Sequence, residues 1–313
     1  MLIACLAAAL ALAVCACGAG GPDGDQIDLS DPSDGEGIVT AAQLLQALEE
    51  GADTLTLSAS VDLDKDMLKL DQPGSSLTIV GNGFTISGNG DCIIRLGEGC
   101  TLTLDDVTLN AGSYAIGCLG DATIAGSATI RAVAHAVNAT GHVIIGEESR
   151  MFISSNVGSG VNAEGLELLE GARVLAEGGL GGVNVTRDDV VLNADSVLDS
   201  NTDANYNALK CEGTLVMLDG SKLIVRNNGE YHGAEISEIS VSGTVTIEAQ
   251  GGSKGVGLFL FALDDDISVV GFCNPELRFE VGNGSLGFYE SASDFPTPTP
   301  EQTPADTEET PAG

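Results

Sequence analysis

The chain predicts an all-β fold: a right-handed parallel β-helix with three strands per coil, a period of about 23 residues and an N-terminal capping helix. The first observation behind this is a repeated phrase, seen as Ala115-Ile-Gly-Cys, Ala136-Val-Asn-Ala, Gly160-Val-Asn-Ala, Gly182-Val-Asn-Val and Ala208-Leu-Lys-Cys. It places an apolar residue at Ile94, Ile116, Val137, Val161, Val183, Leu209, Ala234 and Val256, recurring every 21 to 26 residues. The second is a parallel column at Ile86, Leu109, Ile130, Ile153, Leu175, Leu198, Val225 and Ile247, with a third strand before each pair, as in Leu77-Thr-Ile and Leu102-Thr-Leu. Apolar and polar residues alternate within these runs, so each strand has one inward side. The third is composition: aromatics make up 4% with no Trp, against 42 Gly, which favours a core of stacked Val, Ile, Leu and Ala over one of large rings.

The elements follow in order. Residues 1–17, MLIACLAAALALAVCAC, are apolar and uncharged, as an export signal is. Val14-Cys15-Ala16-Cys17 resembles the lipobox of a bacterial lipoprotein signal peptide, which would make Cys17 the lipidated residue. That resemblance implies a body held on the extracellular face of a membrane by an N-terminal lipid anchor. Residues 18–37 are rich in Gly, Asp, Ser and Pro and read as a flexible acidic linker. The body, 38–290, opens with an amphipathic helix: Thr40 and Gln43 fit a capping box, Leu44, Leu45 and Leu48 form its stripe, and Gly51 stops it. It is placed to plug the first coil, and Pro275–Glu290 is expected to cover the last, since raw strand edges invite aggregation. Residues 291–313 form a Pro/Thr/Glu-rich tail.

Charge narrows the partners. Twelve Lys and Arg face 46 Asp and Glu, a formal net charge of −34 that repels phosphate backbones and excludes nucleic acid. The body's five cysteines, Cys92, Cys100, Cys118, Cys211 and Cys273, are an odd number, and Cys118 and Cys211 lie four rungs apart on the same inward column. At about 4.8 Å per rung no disulfide spans that distance, so they read as core thiols of a monomer.

Outward positions are where a β-helix carries function. Three successive outward asparagines, Asn138, Asn162 and Asn184, suggest a hydrogen-bonded ladder, a structural role favoured over a sugar-binding strip. The richest site is an insertion between Leu198 and Leu209, eleven residues where seven to nine are usual. It holds Asp199, Asn201, Asp203, Asn205 and Tyr206, and the next coil sets Asn227, Asn228, Glu230, Tyr231 and His232 beside it. Asp199, Asn201, Asp203 and Glu230 are oxygen donors of the kind Ca²⁺ takes, and Asn205, Tyr206, Asn227, Asn228, Tyr231 and His232 could hold a sugar. The plainer account is a polar turn with Asn and Asp in left-handed conformations. Asp62, Asp64 and Asp66, like the run Asp264 to Asp266, read as solvated edges.

Residues 38–290 resemble the pectate-lyase-like adhesive domains of surface proteins from Gram-positive bacteria. The resemblance rests on the opening helix, the phrase from Leu77 to Ile86 and the Gly/Ala-Val-Asn rungs. It implies attachment to a glycan or other cell-surface ligand and supplies no catalytic motif. The enzymatic alternative is a polysaccharide lyase with Lys210 or Arg226 as the base that removes a proton alpha to a uronate. Gly-His-Gly, Arg-x-Lys and a Trp are missing, and His135 and His142 lie far from the insertion, so a non-catalytic adhesin is the leading expectation. A passive stalk without ligand is the remaining one.

Overall fold

The computed structural model describes residues 37–243, 245–255, 257–260 and the strand 279–281. The segment 1–17 with Cys17, nearly all of the linker, Cys273, the Asp264 to Asp266 run, Val256 and the tail 291–313 lie outside the described residues. The chain winds into a parallel β-solenoid of about 8 turns, every pairing being parallel and joining one coil to the next. Each coil contributes one strand to each of three faces, numbered here in chain order.

The helix α1 (Ala41–Glu49) precedes the coils. The Thr40 side chain accepts from the Gln43 N–H at 3.2 Å and Gln43 returns the favour to the Thr40 N–H at 3.1 Å, closing the capping box. Leu44 is fully buried, with Leu45 and Leu48 packed on the same core, and Ile38 bridges to Leu57 of the first coil.

Face 3 carries the predicted column residue for residue from Ile94 to Ala234, and Leu68 adds an earlier rung: Leu68, Ile94, Ile116, Val137, Val161, Val183, Leu209 and Ala234 stack in register. Leu258, rather than Val256, takes the next rung. The strand Phe279–Val281 then pairs with Leu258–Leu260, so this part of the expected end cover adds a rung to the stack. The Asn ladder forms as predicted, Asn162 donating to Asn138 at 2.8 Å and Asn184 to Asn162 at 2.7 Å.

Face 2 differs from the expected column. Ile86, Leu109, Ile130 and Ile153 stack, but Ile153 is followed by Ala176, Ser200, Val225 and Ala249. Leu198 and Ile247 point inward two residues before Ser200 and Ala249, with Met151, Val174 and Leu223, and Leu175 pairs with Phe152 on the outside. A one-residue slip exchanges the two sides of a strand. Ala176 is therefore buried, and Asp199 shares an outward column with Phe152, Leu175, Ile224 and Glu248. The interior here is partly polar, because Ser200 and Thr202 face inward and donate to the Ala208 and Gly178 carbonyls at 2.6 and 2.7 Å.

The long strand Cys100–Ala111 bends from face 1 to face 2 with a register shift between Asp105 and Val107. Asp106 adopts φ 47° at the corner, a conformation that Asp tolerates. Cys92, Cys100, Cys118 and Cys211 are free and buried.

Candidate ligand-binding ridge and shelf

The corrected register changes the insertion. Seven residues separate the face 2 and face 3 columns from Leu109 to Ile116, Ile130 to Val137 and Ala176 to Val183. Nine separate them from Ser200 to Leu209, Val225 to Ala234 and Ala249 to Leu258. The lengthened turn thus recurs on three consecutive coils and forms a shelf.

Asn227 ties the shelf together. It is fully buried, donates to the Tyr206 and His232 carbonyls at 2.6 and 3.0 Å, and accepts from the Gly229 N–H at 2.7 Å. Its predicted role as a ligand contact is corrected by this geometry: a fully buried amide whose N–H groups and oxygen are all engaged with the backbone is out of a ligand's reach. Asn207 Nδ2 donates to Glu235 at 2.5 Å and its Oδ1 accepts from the His232 N–H. The His232 ring stacks on Phe259 at 4.7 Å between centroids.

Three of the four expected metal ligands, Asp199, Asp203 and Glu230, are engaged by other side chains. Arg226 Nη1 donates to both Asp199 oxygens at 2.9 and 3.0 Å, the Asn228 amide donates to Asp203 at 2.8 Å, and Lys254 pairs with Glu230 at 2.7 Å. Among the described residues no group of three or more His, Cys, Asp or Glu gathers as a metal site would need. Asn201 faces outward, and its buried Oδ1 has no hydrogen-bond partner. It lines a groove of about 710 Å³ with Glu177, Asp203, Arg226 and Asn228. The two bases of the lyase alternative are on different faces: Arg226 on face 2 is held by Asp199, and Lys210 on face 3 by Glu212 at 2.7 Å. The Glu212 carboxylate holds the Lys210 ammonium above its ordinary range, against what a base needs at neutral pH.

Asn205, Tyr206 and Tyr231 stand at the outer lip and are exposed, the two tyrosines by 52 and 51%. They are not isolated. Val133, Val157 and Leu180, exposed by 43, 63 and 39%, occupy the same turn on the three preceding coils. The Val157 N–H donates to the Val133 carbonyl at 2.9 Å, and the Leu180 N–H to Gly158 at 2.9 Å, which stacks these turns directly. One large apolar side chain per coil therefore crowns this corner over five consecutive coils. Beside the ridge, on face 2, runs the outward column Arg131, Ser154, Glu177, Asn201 and Arg226.

Sequence reading found the two tyrosines and missed the rest. The signal was there: a large apolar residue three or four places before five consecutive face 3 column residues, Val137 to Ala234, where a turn ordinarily carries Gly, Asn or Asp. Comparison of the chain with protein-family models, with curated proteins and with solved structures gives no match.

Proposed function

We propose that this chain is a non-catalytic carbohydrate-binding protein of the cell surface, an adhesin that holds a glycan chain along the corner between faces 2 and 3. One observation carries the reading: the apolar ridge Val133, Val157, Leu180, Tyr206 and Tyr231 runs beside a polar column one residue per coil. Sugar rings present C–H faces that suit Tyr, Val and Leu, and hydroxyls that suit Asn, Ser, Glu and Arg. Five coils span about 19 Å at roughly 4.8 Å per rung, a length that fits several sugar units. The apolar segment 1–17 and the lipobox-like Val14 to Cys17 support export and lipid anchoring.

The carboxylates once assigned to calcium already have partners, so this reading needs no cation. The test is retention of the whole chain on a broad glycan array, with calcium and then with chelator. Tyr206→Ala with Tyr231→Ala is expected to lower retention by about ten-fold while leaving thermal unfolding unchanged, and the chelator to have no effect. Equal retention by wild type and the double variant would remove the ridge as the site, and silence on every glycan would remove the carbohydrate reading.

A further inference from the structure

We infer that the glycan is acidic, its carboxylates seated on the arginines of face 2. The inference rests on the carbohydrate reading above. In a chain of net charge −34, Arg95, Arg187, Lys210, Lys222, Arg226 and Lys254 each have a carboxylate partner, while Lys65 and Lys69, near the first coils, have none among the described residues. Arg131, Arg150 and Arg173 are exposed and have no such partner among the described residues. All three are on the outward side of face 2, on consecutive coils, with Arg150 and Arg173 directly paired in register. Like charges one rung apart, about 4.8 Å, repel unless an anion lies over them. With so many carboxylates available in the sequence, three unneutralised arginines together are a concentration that a structural role does not require.

The surroundings fit a sugar. Phe152 and Leu175 lie exposed in part between the arginine columns, and the Arg131 guanidinium sits 5.7 Å from the Phe152 ring centroid. Ser127, Thr108 and Thr129 add hydroxyls along a groove of about 500 Å³ that includes Arg150 and Arg173. Two acidic side chains border the patch, Asp106 in the groove and Glu177 beyond it, and Asp199 is taken by Arg226. An acidic peptide fits less well. The strands of this face are paired on both sides, so a peptide would find no backbone groups to bond, whereas a uronate chain needs only side chains. A guanidinium also matches the planar, two-oxygen geometry of a carboxylate.

The test uses the whole chain, alginate, and the same polymer with its carboxylates reduced to primary alcohols. Alginate is expected to bind at least ten-fold tighter than the reduced polymer, with a preference that weakens as NaCl rises. The double variant Arg150→Gln, Arg173→Gln should lose about ten-fold on alginate and nothing on the reduced polymer, with unchanged thermal unfolding. Equal binding of the two polymers, or an unaffected variant, overturns the inference. If the reduced polymer or a neutral array glycan still binds through Tyr206 and Tyr231, the carbohydrate reading survives that loss. Polyglutamate binding as tightly as alginate, and lost in the same variant, would also overturn it, by assigning the patch to acidic peptides.

Discussion

Asn227 and Asn228 are adjacent in sequence and opposite in consequence. Asn227 is fully buried with three side-chain hydrogen bonds to the shelf backbone, while the Asn228 side chain is exposed and donates to Asp203. Asn227→Ala strands two carbonyls and an N–H away from water and should cost about 2–3 kcal/mol in chemical unfolding. Asn228→Ala should stay within about 0.5 kcal/mol. Comparable losses in both would show that Asn227 does not staple the shelf. The buried thiols obey the same logic. Burial pushes the Cys118 thiol up to about 12 and Cys211 to about 11 from an ordinary 9.0. A raised folded value means their contribution to stability is whole below pH 9.0 and is lost as pH climbs toward those folded values, because the unfolded chain gives up the protons first. Peptide mapping after iodoacetamide treatment at about pH 8 should find both unmodified in the native protein and modified after denaturation. Native labelling would contradict their burial.

At the level of elements, α1 is where local sequence rules were sufficient. Thr40, Gln43 and Leu44 specify a box and a buried contact within a few residues, and the structure carries both. Thr40→Ala should cost about 1 kcal/mol and speed amide exchange at Leu55 and Leu57 in the coil that α1 adjoins; unchanged exchange would mean that the helix does not guard that coil. The face 3 strands were equally legible, since Val-Asn-Ala and Val-Asn-Val alternate cleanly and an amide ladder fixes their register. Face 2 was not. Met151-Phe152-Ile153 and Val174-Leu175-Ala176 are apolar on both sides, and the inward place after Ala176 is Ser200. Alternation cannot orient such a strand, and hydrogen bonds from Ser200 and Thr202 to backbone make a polar interior acceptable. That slip made the Leu198 to Leu209 interval look unique.

Over the whole molecule, the candidate site was only half visible because it is a property of stacking. Val133, Val157 and Leu180 are unremarkable singly, and each would pass as a scattered exposed apolar residue. Only the coil register lines them up with Tyr206 and Tyr231 and sets Arg150 and Arg173 one rung apart. The same register has a consequence for how the chain is made. Strand pairings join residues 21 to 26 apart, whichever coil they belong to. Contact order is therefore low for an all-β protein, and each new coil closes a loop of similar entropy onto a finished template. The helix-capped first coil is complete before the last strands exist. A chain threaded outward from its N-terminus can wind up as it emerges, and no step waits for its far end.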